Sequence, residues 1–481
     1  MLDLVADLAS SGGAACSYVD VRWVARRLEQ LTVSGGRIER VLSEEDEGIG
    51  VRVAARSGGF GFAATRDTSR RGGLAALRRA AAIASAQPTA ALRPLARIGA
   101  AKGAWSGRCE IDPFAQPIEA RLELLVAAEG LLRGDPRIVR SQAESIAVRT
   151  RKAFASSEGV AVTQELTECG GAIAAHAADG DDVQIRSYPS AHGGSVAAAG
   201  YEHVLGLDLV GNAPRVAEEA VALLLAPECP AGRTTVVLGD EQVALQVHES
   251  IGHALELDRI QLGEASYAGT SWVSPADIGR LRYGSEDLVI TADATLPGGL
   301  GSFGWDDEGV PGQRTLLIES GLLRAALSDR TSAAALGLAA SGGCARADGF
   351  SRQPIVRMTN VSIEPGRAGT LADLIGEVDD GIYMETNRSW SIDDRRLHFQ
   401  FATELGREIR GGELGRLVKN PSYAGITPEF WGSLDGVCSA SHWRVWGLLN
   451  CGKGEPGQVA HVSHGAAPAR FRDVLVGVAR G

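Results

Sequence analysis

The chain has 481 residues, 44% hydrophobic and 22% charged, with 48 basic and 59 acidic side chains and a net charge of −11. This composition is typical of a globular protein with a large core, and the lack of a basic block disfavours nucleic-acid binding. No stretch reaches the roughly 18 apolar residues of a membrane-spanning helix, and the N-terminus lacks the basic region of a signal peptide. Seven scattered cysteines without a CxxC pair favour reduced thiols. We expect a cytoplasmic protein with neither membrane nor nucleic-acid partners.

The N-terminal half alternates between segments with helical and with strand periodicity. Residues 1–8 indicate an amphipathic helix, residues 137–200 indicate short strands, and the proline- and glycine-containing residues 88–113 indicate a long loop. Pro227 and Pro230 close the last helix of this half, so we place a boundary there and expect two domains, residues 1–230 and 231–481. The other predicted elements are strands at 18–22 and 48–54 and helices at 68–87, 117–132 and 216–225.

The C-terminal half has a different sequence pattern, in which short apolar runs are separated by glycine-rich turns. This pattern predicts mainly antiparallel sheet with one longer helix packed against it. The strand candidates lie at residues 233–238, 314–318, 356–363, 381–385, 397–403 and 474–478.

The most informative segment begins at His248 and reads His-Glu-Ser-Ile-Gly-His. Zinc peptidases place two histidines at i and i+4 of a helix, with a glutamate beside the first as base. Here the second histidine, His253, is at i+5, about 140° round a regular helix. A single π-bulge would absorb the additional residue, and Gly252 is the residue that most easily accepts a distorted backbone.

The surroundings of this segment predict a buried helix. Asp240 follows the strand at 233–238 and can act as an N-cap, and apolar residues then recur at helical spacing from 241 to about 257. His248 and Glu249 would therefore be polar groups inside a core, which require partners. A metal is one explanation, and a pair of hydrogen-bonded core histidines is the other.

A catalytic zinc site needs a third protein ligand besides His248 and His253. Cys451 is the strongest candidate, because a thiolate binds zinc well and the surrounding glycines allow close approach. His461 and His464 are rival ligands. His442 and Cys438 are weaker candidates.

Glu249 directly follows one candidate ligand, so we expect it to act as general base towards metal-bound water. Arg357 lies in a strand-like run and could bind a substrate carboxylate or backbone, or could instead hold the fold together. Asp306, Asp307 and Glu308 occupy a turn, where we expect them to be solvated, and they receive no ligand role.

Together these segments resemble the TldD branch of the TldD/PmbA metallopeptidase family. The resemblance covers nearly the whole chain and is densest after about residue 233. Residues 341–347 depart from the more usual Gly-Asn-Gly-Arg-Arg-like segment, which puts substrate contacts of that loop in doubt. The matching segments are residues 48–52, 248–256, 301–312, 357–360, 380–383, 450–453 and 464–468.

The resemblance implies an α+β fold, with an N-terminal α/β domain and a C-terminal domain rich in twisted antiparallel sheet that carries the motif helix. It implies one Zn²⁺ per catalytic chain, held at His248, His253 and Cys451, with Glu249 catalytic. It also implies peptide substrates, either unfolded segments or short peptides, including precursor or leader peptides. Members commonly pair with a PmbA (TldE)-type subunit that lacks the metal motif, so we expect either a homodimer or such a heterodimer.

Two alternatives to a zinc peptidase are open from the sequence. The family resemblance also implies a non-catalytic alternative, a binding or regulatory subunit that modulates DNA gyrase or a toxin–antitoxin pair, although a scaffold has no need of Glu249 beside two histidines. The metal could also be structural, with His464 or Cys438 closing the site as a fourth ligand.

Overall fold

The protein has a mixed α+β fold in which two sheet systems lie in sequence along the chain, as expected. The computed structural model describes residues 1–87, 95–191, 193–263 and 269–479. Within these ranges no helix is long and apolar enough to cross a membrane.

The N-terminal sheet is built on four strands of 19 residues each, β1, β2, β5 and β6. Its order is β3-β2-β1-β5-β6-β4, with β7 and β8 also paired to β6, and β4 runs parallel to β6 while the other pairs are antiparallel. The strands are β1 (Cys16–Ser34), β2 (Arg37–Ala55), β3 (Phe60–Thr65), β4 (Lys102–Ser106), β5 (Ile138–Ser156), β6 (Ala161–Asp179), β7 (Asp182–Tyr188) and β8 (Ser195–Ala197).

Four of the five helices described in this half pack on the sheet in two groups. Helices α1 and α2 pack with β1, β2 and β3 in one apolar cluster, and α3 and α5 pack with β5 and β6 in another. The five are α1 (Leu2–Ser10), α2 (Arg70–Ala86), α3 (Ile118–Leu132), α4 (Tyr201–Gly206) and α5 (Leu209–Leu225).

The C-terminal half contains a sheet that closes on itself. Its order is β16-β9-β23-β19-β17-β18, and β16 also pairs with β17, so β16, β9, β23, β19 and β17 form a ring. β20 also pairs with β23, and this half further contains the sheet β12-β11-β10-β15 and the strand pairs β13-β14 and β21-β22. The strands are β9 (Gly232–Leu238), β10 (Ile290–Asp293), β11 (Arg314–Glu319), β12 (Leu322–Leu323), β13 (Ala345–Arg346), β14 (Ile355–Val356), β15 (Val361–Ile363), β16 (Asp380–Ile392), β17 (His398–Arg410), β18 (Glu413–Val418), β19 (Pro421–Ile426), β20 (Leu434–Val437), β21 (Arg444–Lys453), β22 (Gln458–Ala466) and β23 (Ala469–Val478).

The helix after β9 is buried against this half's main core, because nearly all of its side chains are shielded from solvent. It continues into a π turn at His248–Gly252 and a 3-10 turn at His253–Leu255. The helices are α6 (Asp240–Val247), α7 (Leu257–Ile260), α8 (Arg330–Ala335), α9 (Leu371–Gly376) and α10 (Thr427–Gly432), and further 3-10 turns lie at Pro113–Ala115, Pro275–Asp277 and Ala440–His442.

Most predicted elements are present, and the differences concern length and ends. Residues 137–200 form two long strands and two shorter ones rather than short runs, because continuous pairing between neighbouring strands extends them. The predicted loop at 88–113 contains β4, while residues 88–94 lie outside the described part of the chain. The predicted strand at 356–363 is interrupted between β14 and β15. Gly239 is the N-cap of α6, and Asp240 is its first residue.

Candidate metal centre

Three side chains that the sequence predicts as ligands meet in the core of the C-terminal half. The ligand atoms of His248, His253 and Cys451 all lie within 4.8 Å of one another, and all three residues are buried. In the part of the chain that the structure describes, this is the one such cluster of histidine, cysteine or acidic groups. The histidines come from the turns after α6, and the cysteine comes from β21.

The predicted π-bulge is confirmed, and it brings the two imidazoles to one side. The N–H of His253 donates to the carbonyl of His248, which is the i to i+5 bond of a π turn. The two ring centroids are 4.7 Å apart. Gly252 has ordinary helical angles, φ −54° and ψ −57°, so the backbone does not require glycine there. Packing does, because a Cβ at this position would lie 2.1 Å from the sulfur of Met358.

His464 fixes the orientation of His248 through a chain of two hydrogen bonds. Nδ1 of His464 lies 2.7 Å from the carbonyl oxygen of Val361, and its Nε2 lies 2.8 Å from Nδ1 of His248. A carbonyl can only accept, so Nδ1 of His464 donates to it, and Nε2 of the neutral ring must accept from His248. Burial holds the pKa of His464 well below its ordinary value and that of His248 at about 4, so both rings are neutral. Nε2 of His248 is thereby left with a lone pair.

The Nδ1 of His253 also has a hydrogen-bond partner, but this partner is charged. Its Nδ1 lies 3.1 Å from Oε2 of Glu256, which also accepts from Nε of Arg259 at 2.6 Å and lies 3.3 Å from Nζ of Lys453. Burial alone would raise the pKa of Glu256, but Lys453, Arg259 and His253 hold it well below its ordinary value. The carboxylate therefore accepts from His253 Nδ1–H and leaves a lone pair on Nε2.

Cys451 completes the cluster on the side of His253. Its Sγ lies 3.7 Å from Nε2 of His253. Burial would raise the pKa of this thiol, but His253 and Arg357 lower it below its ordinary value. Arg357 is buried and donates to the backbone carbonyls of Cys451 and Gln458, so it joins β21 to β22. These contacts favour the fold-holding interpretation of Arg357, and its substrate-binding role stays a prediction.

The donor set fits a zinc ion. Two imidazole nitrogens with outward lone pairs and one thiol with a lowered pKa are ligands that zinc prefers. In a tetrahedral site with bonds of about 2.0 to 2.3 Å, neighbouring ligand atoms lie roughly 3.3 to 3.8 Å apart, and the distance between Cys451 Sγ and His253 Nε2 falls in that range. Among the described residues no fourth side chain joins the three.

Glu249 is held in place by two donors from the β16–β17 hairpin. Its Oε1 accepts from Nε1 of Trp390 at 2.9 Å, and its Oε2 accepts from Arg396 at 2.9 Å. Each carboxylate oxygen has a second lone pair. The carboxylate can therefore accept a further proton or hydrogen bond without losing either contact.

The rival ligands lie elsewhere or act in another way. His461 contacts Glu168 through Nδ1 at 2.7 Å and Arg26 through Nε2 at 3.2 Å. Both nitrogens of His464 are engaged as described above, and Cys438 and His442 are not part of the cluster.

The expectation that Asp306, Asp307 and Glu308 are solvated is wrong, since all three are buried. Glu308 pairs with Arg52 of β2, and Asp307 pairs with Lys152 of β5. The carboxylate of Asp306 accepts from backbone N–H groups. This turn thus joins the C-terminal half to the N-terminal sheet through buried, partnered charges.

Sequence reasoning did not assign the residues around the ligands. Glu256 stands three positions after His253, and that spacing on a helical turn was an available signal. Trp390 and Arg396 are more than 140 positions from Glu249, so no local pattern could reveal them. The sequence pattern predicts His464 only as a rival ligand, whereas in the structure it is the hydrogen-bond partner of His248.

Three segments of the chain match the PmbA/TldA metallopeptidase family: residues 19–87 match its domain 1, residues 111–226 its central domain and residues 231–477 its C-terminal domain.

A protein named metalloprotease from Methanothermobacter thermautotrophicus is 30% identical over 469 residues, which are 96% of this chain and 95% of that protein. A zinc metalloprotease TldD homolog from Saccharolobus solfataricus is 26% identical over 51% of this chain and 52% of that protein. The structure of TldE from Thermococcus kodakarensis has a TM-score of 0.74 at 17% identity, over 98% of this chain and 99% of that chain.

Proposed function

This chain belongs to the PmbA/TldA metallopeptidase family, and from that premise we propose that it is a zinc-dependent metallopeptidase acting on unfolded or short peptides. The observation that carries the proposal is the convergence of one thiol and two imidazole nitrogens, all buried, within 4.8 Å. The next residue after His248 is a glutamate whose carboxylate has its own hydrogen-bond partners.

His248, His253 and Cys451 would hold the zinc. When bound, the ion supplies Lewis acidity and lowers the pKa of coordinated water. His464 and Glu256 keep Nδ1 of the two histidines protonated, so the lone pair on each Nε2 would be available to the ion. Three described ligands favour a catalytic site over a structural one, since structural zinc sites have four protein ligands.

Glu249 would act as general base. One oxygen of its carboxylate takes the proton of the attacking water and later passes it to the leaving amine. Trp390 and Arg396 hold that carboxylate, so its position does not depend on the substrate. Precursor or leader peptides are candidate substrates within the proposed class.

We also propose that the chain works with a second subunit of the same fold, either another copy or a TldE-like chain. The likeness to the TldE structure over nearly the whole of both chains supports a partner of related shape. Multi-angle light scattering of the purified protein, alone and with a TldE-like chain, tests this. A monomer under both conditions would contradict it.

The decisive experiment compares the wild type with Glu249→Gln, Cys451→Ala and Glu241→Gln for zinc content and cleavage of unfolded peptides, with a TldE-like chain added in parallel. We expect Glu249→Gln to keep zinc and lose at least about 100-fold in kcat, and Cys451→Ala to lose both zinc and activity. Glu241 lies in α6, eight residues before Glu249, is half-buried and accepts from Ser190 and the Asn387 N–H, so Glu241→Gln is the matched control and should stay active. Cleavage that persists in Glu249→Gln contradicts the general-base role.

A further inference from the structure

A cleft separates the N-terminal sheet from the C-terminal half, and neither the metal centre nor the proposed reaction uses it. One wall comes from β1, β4, β5 and β6, and the other from residues 300–307 and 346–349 and from β22. Its lining combines aromatic rings with charged groups. The aromatic rings are those of Trp105, Phe303 and Trp305, and the cations are Arg26, Lys152 and Arg346.

The tryptophans on the aromatic side of the cleft are held in place by contacts within the protein. Gly103 lets the ring of Trp305 approach the backbone, because a Cβ at this glycine would lie 2.7 Å from a ring carbon of Trp305. Gly304 does the same for Trp105, because a Cβ there would lie 2.7 Å from the Cβ of Trp105. Gln164 fixes the backbone of Trp305, whose N–H donates to its Oε1 at 3.0 Å and whose carbonyl accepts from its Nε2 at 2.8 Å. The aromatic groups therefore keep their places without a ligand.

The carboxylates of the lining already have partners. Asp307 pairs with Lys152 at 3.0 Å, and Glu168 accepts from His461 at 2.7 Å. Asp348 accepts from the N–H of Val459 at 2.9 Å and lies 3.9 Å from Arg26.

Arg346 is the exception among these charges. Its guanidinium donates to the carbonyl oxygen of Met358 at 3.0 Å. Across the described residues no carboxylate oxygen comes within 4.0 Å of this group. Its remaining N–H groups are a fork suited to a carboxylate or phosphate.

The electrostatic balance of the cleft agrees with this geometry. Burial alone would raise the pKa of Glu168, but His461, Arg26 and Arg346 hold it below its ordinary value. Burial and then Arg357 lower the pKa of Arg346. Asp307 and Glu168 in turn raise the pKa of Arg346 against its burial, so the guanidinium and the neighbouring acids stabilise each other's charged forms.

We propose that this cleft is a second binding site, which takes the C-terminal carboxylate of a short peptide on Arg346 and its apolar last side chain on Trp105, Phe303 and Trp305. The site lies one residue layer from the metal centre. Arg346 contacts the Met358 carbonyl, while the Met358 side chain packs on Gly252 of the π turn. The inference rests on the proposed function only in taking a peptide as ligand.

The test measures binding by calorimetry with N-acetyl-alanyl-phenylalanine, its C-terminal amide, the α-amide of N-acetyl-alanyl-aspartic acid, which keeps a free carboxylate on its side chain, and inorganic phosphate. The full-length Glu249→Gln protein serves as host, so that cleavage does not interfere. We expect the free acid to bind at least about tenfold more tightly than the amide. Arg346→Gln should abolish that preference, and Arg346→Lys should restore part of it. Arg71→Gln, at an exposed site on α2, is the control and should bind like the host.

Other outcomes separate the sources of the anion and the two sites. If the aspartic acid α-amide bound as tightly as the phenylalanine free acid, the C-terminal specificity would be overturned, and binding of phosphate alone would overturn the peptide ligand. Loss of binding in Cys451→Ser with retention in Arg346→Gln would place the carboxylate on the metal and overturn the cleft site. Should Arg346→Gln fail to fold, Thr150→Glu, which adds a fixed negative charge to the lining, should abolish the preference instead.

Discussion

The two histidines of the candidate metal centre stand five residues apart, and both have a lone pair on Nε2. The partners that hold their Nδ1 atoms differ in charge. His248 depends on a neutral chain, from its Nδ1 to His464 and on to a backbone carbonyl. His253 depends on a buried charged group of Glu256, Arg259 and Lys453. Both arrangements fix the tautomer of the histidine. Only in the charged arrangement does removing one residue leave a buried charge unpaired, which costs much of the free energy of unfolding. Tautomer control and stability are therefore separable within one site.

The largest expected effect is on the charged side. Glu256→Gln keeps an acceptor for His253 but leaves Arg259 and Lys453 without their shared carboxylate. We expect a loss of about 3 to 5 kcal/mol in the free energy of unfolding and of about 10- to 100-fold in zinc affinity, measured by denaturant melts and competitive chelation.

The matched control for Glu256→Gln is Glu29→Gln. Glu29 is also buried and pairs with Arg27 and Arg121, but in the N-terminal sheet. It should destabilise the protein and leave zinc affinity intact. Equal zinc loss in both variants would mean that Glu256 acts through general stability only.

A smaller effect is expected on the neutral side. His464→Ala removes the acceptor of His248 Nδ1–H, and we expect about a tenfold loss of zinc affinity with a stability change of about 1 to 3 kcal/mol, since no buried charge is exposed. His464→Gln should recover much of the affinity, because an amide can both accept from His248 and donate to Val361. If the alanine variant binds zinc as tightly as the wild type, the tautomer chain has no function.

The smallest effect is expected for Glu249, the proposed general base, whose hydrogen-bond donors belong neither to the partners of His248 nor to those of His253. Trp390→Phe removes one donor to Glu249 and should lower kcat about fivefold without changing zinc content. Trp23 donates to Glu47 at 2.8 Å in the same manner, far away in the N-terminal sheet, so Trp23→Phe is its control. A parallel fall in zinc content would show that the hairpin supports the metal site instead of Glu249.

The sequence predicted local features best where one physical constraint dominated. The i, i+5 spacing of His248 and His253 required a π turn, and the buried apolar spacing around them required a helix; both are present. The lengths of β5 and β6 were underestimated, because strand length depends on a partner strand that alternation alone does not reveal. Gly252 was assigned to backbone strain, whereas its real constraint is Met358, more than 100 positions away.

The amino-acid sequence by itself determined the donor types, their approximate spacing and the family, because these depend on side-chain chemistry and on contacts within a few residues. The tertiary structure decided what surrounds the donors: His464 behind His248, Arg357 on the carbonyl of Cys451, and Trp390 with Arg396 on Glu249. It also buried Asp307 and Glu308 against cations of the N-terminal sheet. Each of these depends on hydrogen bonds or ion pairs between distant parts of the chain, and a linear pattern carries no record of which distant groups will meet.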